Sequence, residues 1–204
     1  MTVNLLATVD LGSNSFRLLI GKINSDGTIV PLDQIKETVR LASGLDAKNN
    51  LTKESQLFAL EVLTRFSERL SNFKKSQVRV VGTSTLRVAN NSAEFITIAN
   101  KALGFPIEVI SGKEEARLIY IGAMHSLAYT TEKRLVIDIG GGSTEFIIGE
   151  GYEPQIMESV TMGCVSYTGR YFTDGQLTEA NFNNAIYAAR SKIQSMEHLF
   201  AEHD

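Results

Sequence analysis

Two short stretches of the chain carry residues whose types and spacing could do chemistry. VDLGSNSFRLLIGK, residues 9–22, holds Asp10, Gly12, Ser13, Asn14 and Ser15; IDIGGGSTEFIIGE, residues 137–150, holds Asp138, Gly140, Gly141, Gly142, Ser143, Thr144 and Glu145. Both keep the frame D-x-G-x-x-S, and each reads as strand, tight turn, strand. A turn of Gly, Ser and Asn exposes backbone N–H groups with no bulky Cβ in the way, and such groups hold phosphate oxygens well. The hydroxyls of Ser13, Ser15, Ser143 and Thr144 and the amide of Asn14 add side-chain donors. A carboxylate beside a phosphate is repelled unless a Mg²⁺ ion or a nucleophilic water lies between them. That makes Asp10, Asp138 and Glu145 candidate metal ligands. Either turn alone could be a plain hairpin capped by its Asp; two in one frame argue for a shared task. Neither is a Walker A loop or a G-x-G-x-x-G dinucleotide turn.

Two further groups suit hydrolysis of a phosphoanhydride. In SGKEEAR, residues 111–117, Ser111 and Glu114 have the S-x-x-E spacing of a capping box. Glu115, about 100° further round the helix, has no part in that box and is the better general base for water. The alternative is that both glutamates are first-turn acids favoured by the helix dipole. Arg87, in GTSTLR, can clamp phosphate oxygens bidentately, with a surface ion pair as the alternative. Arg17 of the first hairpin aligns with Glu145 of the second, so the turns differ in charge. The second is expected to hold the metal side and the first to hold phosphate.

These groups need elements to position them. Alternation and turn signals predict strands at 5–11, 16–23, 29–39, 78–82, 107–110, 134–138, 145–149 and 155–161. Helical spacing predicts helices at 51–73, 92–103, 112–126, 163–172 and 177–200, the first capped by Thr52 and faced by Leu57, Leu60, Leu63, Phe66 and Leu70. The order is that of an α/β protein with helices packed on mixed sheets. The hairpin recurs at an offset of 138 − 10 = 128 residues, whereas only 204 − 138 = 66 residues follow Asp138. The expectation is a duplicated unit whose second copy is half present, in a piece of a longer protein.

Composition narrows the classes. Apolar residues make up 43% and charged residues 21%, the net charge is −3, and Cys164 is the single cysteine. No global basic field exists for nucleic acid, no intrachain disulfide is possible, and no run is apolar enough to span a bilayer. The N-terminus reads as a strand, so the expected location is cytoplasmic.

DLGSNSFRLLI, GTSTLRVANN, SGKEEARLIYIGA, VIDIGGGSTEFIIG and MGCVS, in that order, resemble the exopolyphosphatase and guanosine pentaphosphate phosphohydrolase family. That family lies within the actin, Hsp70 and sugar kinase superfamily. The resemblance implies actin-like (ribonuclease H-like) duplicated domains with mixed sheets flanked by helices, here 1–124 and an incomplete 125–204. It implies a phosphate-chain cleft between the domains, Mg²⁺ with K⁺ as a second candidate ion, and a homodimer for the full-length protein. It matches the family's catalytic glutamate to Glu115 and supports Arg87 as phosphate clamp. The favoured activity is release of terminal phosphate from polyphosphate. Hydrolysis of guanosine pentaphosphate is the alternative, with a nucleotide-driven actin- or Hsp70-like module or a non-catalytic binding fragment as readings of other classes.

Weaker signals are read as structural. Cys164 is expected to be a small buried cysteine. His125, His198 and His203 lack metal-ligand spacing. The stripe Phe182, Ile186, Ala189 and Ile193 is expected to be core, or a face left uncovered.

Overall fold

The structure is a computed structural model and describes residues 4–201. His203 lies outside them. The chain divides into two compact units, Met1–Ile110 and Ser111–Asp204.

The first unit is built on strands β1 (Leu5–Leu11), β2 (Ser15–Ile23), β3 (Ile29–Thr38), β4 (Val78–Gly82) and β5 (Ile107–Val109), in the order β3-β2-β1-β4-β5. The three N-terminal strands form an antiparallel meander, and β4 and β5 add in parallel beside β1. This is the mixed, actin-like sheet that the sequence predicts. Alternation along β1 sends Ala7, Val9 and Leu11 into the core, with Phe16, Leu18 and Ile20 of β2 beside them. Helices α1 (Lys53–Leu70) and α3 (Ser92–Leu103) cover that face. Thr52 caps α1 by accepting from the Ser55 N–H, and Gly104 ends α3 in the left-handed region, where a residue without Cβ is unstrained. The buried face of α1 is Ala59, Val62, Leu63, Phe66 and Leu70. Leu57 is instead exposed, because the α1 face that meets the sheet is centred one residue round from the predicted leucine stripe.

A short helix that periodicity did not reveal, α2 (Ser84–Val88), carries Arg87 directly after β4. Five residues are too few for a hydrophobic period to show.

The second unit starts with helix α4 (Gly112–His125) and a three-stranded antiparallel sheet, β6 (Lys133–Ile139), β7 (Thr144–Glu150) and β8 (Glu153–Val160). Ala116, Tyr120 and Met124 of α4 pack with Ile147 under them, so α4 belongs to this unit. The compact units therefore divide at Ile110/Ser111 rather than after residue 124. Helices α5 (Cys164–Tyr171), α6 (Glu179–Gln194) and α7 (Glu197–Ala201) follow, so the single helix expected over 177–200 is two.

The duplication is visible in the register. Asp10 pairs with Arg17 and Leu11 with Phe16; Asp138 pairs with Glu145 and Ile139 with Thr144. Even the irregularity recurs: the second strand of each hairpin shifts register at Ile20/Gly21 and at Ile148/Gly149. The two units differ in cover. Ala7, Val9 and Leu11 are at most 3% exposed, whereas their counterparts Leu135, Ile137 and Ile139 are 56%, 49% and 70% exposed. Ile137 and Ile139 line an apolar cavity of about 480 Å³ with Ile186, Ala189 and Ile193 of α6.

Phe66 is fully buried at the centre of the first unit's core. Phe66→Ala should cost about 3–5 kcal/mol of unfolding free energy, read from urea denaturation. A loss below about 1 kcal/mol would contradict this packing.

Candidate active site

Each predicted phosphate turn is held from behind by main-chain bonds. In the first, the Ser13 carbonyl accepts from the Ala42 N–H (3.0 Å), and the Asn14 carbonyl accepts from Val39 (3.0 Å) and Arg40 (2.7 Å). In the second, the Gly140 carbonyl accepts from Cys164 (2.9 Å), and the Gly141 carbonyl accepts from Val165 (2.9 Å) and Ser166 (3.1 Å). Among the described residues there is no cis peptide bond. In a trans peptide, the N–H of the next residue points opposite to the carbonyl. Bonding these carbonyls inward therefore turns the N–H groups of Asn14, Ser15, Gly141 and Gly142 away from the clamping segments. Such an arrangement can receive an anion, and it is made by backbone alone.

The glycines are needed for it. A Cβ on Gly12 would lie 2.8 Å from the Ser15 carbonyl oxygen, and one on Gly140 would lie 3.0 Å from that of Ser143. A Cβ on Gly163 would meet Gly141 and Gly142 at 2.4 Å. Gly163 thus lets the start of α5 close directly on the second turn, where the turn's carbonyls satisfy first-turn N–H groups of that helix.

Two predicted side-chain donors have other partners. The buried Ser13 hydroxyl accepts from the Thr85 N–H (3.2 Å) and hydroxyl (2.8 Å), tying the first turn to α2. The buried Thr144 hydroxyl donates to the Met162 carbonyl. Asn14 donates from Nδ2 to the Ser15 hydroxyl at a long 3.4 Å. The groups aimed outward are the turns' main-chain amides.

Arg87 is half-buried and donates to the Ile110 carbonyl at 3.1 Å. That bond fixes the guanidinium at the end of β5. Ser111 caps α4 by accepting from Glu114 N–H. The Glu114 carboxylate grips Arg117 through two bonds of 2.8 and 2.9 Å. Glu114 has a structural task, as expected, but its carboxylate does it within the helix.

Glu115 stands on the first turn of α4, over the strand row Asp138–Glu145–Ser159. These three are direct cross-strand partners on β6, β7 and β8. Glu145 is 1% exposed, and Ser159 donates to its Oε1 at 2.8 Å. Its pKa is pushed up to about 7, first by burial and then by the nearby Glu115 carboxylate, with Asp138 adding a smaller push. Hydrogen bonds from Ser159 and Ser143 offset part of this. The matching row in the first unit is Asp10–Arg17–Lys36. One row is acid with two bases and the other is two acids with a hydroxyl, on one backbone plan.

The acidic row fits a divalent cation of a particular kind. Among the described residues, no three His, Cys, Asp or Glu side chains form a metal cage. A buried carboxylate with two more near it could serve Mg²⁺, which keeps several waters and takes its remaining ligands from phosphate.

A family pattern decides whose site this is: that of the Ppx/GppA phosphatase family matches residues 19–203. The chain belongs to the Ppx/GppA phosphatase family. It is 47% identical over 198 residues to a Vibrio cholerae guanosine-5'-triphosphate,3'-diphosphate pyrophosphatase, covering 97% of this chain and 39% of that protein. The exopolyphosphatase of Cytophaga hutchinsonii is similar in structure, with a TM-score of 0.86 and 28% identity, covering 98% of this chain and 64% of that one. The Aquifex aeolicus Ppx/GppA family member has a TM-score of 0.75 and 27% identity, covering 95% and 63%. This Ppx/GppA chain therefore spans about two-fifths of the curated relative and under two-thirds of these structures.

Sequence reasoning missed three parts of the site in this family member. The clamps at residues 39–42 and 164–166 are main-chain contacts and leave no residue-type signal. Thr85 was legible only as part of GTSTLR. Ser159 could have been found by pairing β7 with β8 and asking what faces Glu145. Cys164, expected to be buried, is exposed at the start of α5. His125 stacks on Tyr152, with ring centroids 4.4 Å apart.

The elevated Glu145 pKa gives a pH signature. The folded state keeps a proton that the unfolded chain releases near 4.5. Stability is therefore greatest below that value, falls as pH rises towards about 7, and is flat above it. The full loss is at most on the order of 3 kcal/mol. Melting in EDTA at pH 5 and 7.5 should show a fall in Tm that is much smaller in Glu145→Gln. An equal fall in both would contradict the assignment.

Proposed function

We propose that the protein hydrolyses a terminal phosphoanhydride, releasing orthophosphate. The observation that carries this reading is the pair of turns whose carbonyls are bonded inward and whose amides face outward, one of them beside an acidic strand row. The outward amides of Asn14 and Ser15, with Arg87, hold phosphate oxygens; those of Gly141 and Gly142 do the same in the second unit.

Glu115 takes a proton from water. The water oxygen bonds to the terminal phosphorus as the bridging P–O bond breaks, giving orthophosphate and a chain one phosphate shorter. Asp138 and Glu145 would hold Mg²⁺. The chemistry Mg²⁺ supplies when bound is neutralisation of phosphate-oxygen charge.

The substrate we favour is guanosine 5'-triphosphate 3'-diphosphate, because identity to the Vibrio cholerae pyrophosphatase is 47%, against 28% to the Cytophaga hutchinsonii exopolyphosphatase. Polyphosphate is the second reading, supported by the similarity of fold to that exopolyphosphatase. Both end in the same bond, so the chemistry above serves either.

Phosphate release from both substrates, with and without Mg²⁺, tests the proposal. Release should be faster from the nucleotide, and Glu115→Gln should lower kcat by about 10²–10⁴-fold. Asp138→Ala should lose Mg²⁺ dependence while Asp10→Ala keeps it. Undiminished turnover in Glu115→Gln would overturn the mechanism, and faster release from polyphosphate would overturn the substrate.

A further inference from the structure

We propose that Ser159 is a positioning residue for divalent-cation binding, holding the Glu145 carboxylate in the orientation that a cation meets. The inference rests on the reading of Glu145 as a metal ligand.

Glu145 sits on the middle strand of three and is buried in this structure. A glutamate has three side-chain torsions, so burial alone leaves its oxygens several orientations. Ser159 removes that freedom. It is the direct partner of Glu145 across β7–β8, on the same face of the sheet, and it donates to Oε1 at 2.8 Å. A serine donor occupies a lone pair on one oxygen without adding charge. A lysine or arginine at this position would instead place a cation where the metal ion is to bind.

The first unit shows the contrast. There the strand position beside the central residue is Lys36, next to Arg17, and both are exposed. Only the row with two carboxylates ends in a neutral donor. The neighbouring Glu158 pairs with Lys113 on the first turn of α4 at 3.1 Å. The same turn of α4 carries Glu115. Hydrogen-bonded orientation of ligating carboxylates is a general device, and its removal commonly weakens metal binding by about 10–100-fold.

Binding of Mn²⁺, used as a paramagnetic probe and followed by EPR on the whole chain, tests this without any turnover. Wild type, Ser159→Ala, Ser159→Thr and Glu145→Gln are compared, each checked for folding by circular dichroism. Ser159→Ala should weaken Mn²⁺ binding by about tenfold or more, and Ser159→Thr, which keeps the hydroxyl, should restore it to within a few-fold. A merely structural role would change thermal stability and leave Mn²⁺ affinity alone. Loss of binding in Glu145→Gln with unchanged affinity in Ser159→Ala would overturn the role of Ser159 while leaving the metal reading intact. Unchanged affinity in Glu145→Gln would overturn the metal reading and this inference with it.

Discussion

The candidate site depends on the direction of a few peptide planes. A carbonyl bonded to Ala42, Val39 or Arg40 in one unit, or to Cys164, Val165 or Ser166 in the other, cannot turn outward without losing that bond. A buried carbonyl left unpaired costs about 1–3 kcal/mol. Each clamp therefore fixes an N–H pointing the opposite way. The side chains then have little room for variety. Gly12 and Gly140 must lack a Cβ to let the turns close, and Gly163 must lack one to let α5 reach its turn. Ser13 and Thr144 spend their hydroxyls fastening the turns to α2 and to the Met162 carbonyl.

Duplication supplied one backbone and divergence supplied two chemistries. The hairpins share register, turn geometry and the shift at Gly21 and Gly149. Their central cross-strand residues are Arg17 and Glu145, and those side chains give the rows opposite character. The acidic row is costly by itself, since burial and two neighbouring carboxylates drive Glu145 towards its neutral form. That cost is what a bound cation would relieve. In the other row Arg17 and Lys36 are exposed.

Much of this was legible in the sequence, for identifiable reasons. The paired D-x-G-x-x-S frames and the Thr52 cap are local signals, and each corresponds to an observed turn or helix end. The contrast between Arg17 and Glu145 needed only alignment of the repeat. Sequence put polyphosphate first, and the identity to the Vibrio cholerae relative reverses that order in our proposal. What sequence could not yield is tertiary. The α1 stripe shifted off Leu57 because the sheet selects the face, α4 joined the second unit because Tyr120 and Met124 pack with Ile147, and the clamps are backbone. The partners of the Ser13 and Thr144 hydroxyls were hidden for the same reason: the residue type announces a donor or acceptor but not its partner.

The central claim is that phosphate is held by main-chain amides which the clamps turn outward. Titration of ¹⁵N-labelled protein with pyrophosphate and Mg²⁺, followed by amide chemical shifts, tests it most directly. The account predicts the largest changes at the amides of Asn14, Ser15, Gly141 and Gly142, with the clamping amides of Ala42 and Val165 changing less. Binding that leaves those four amides unmoved while others shift would contradict it.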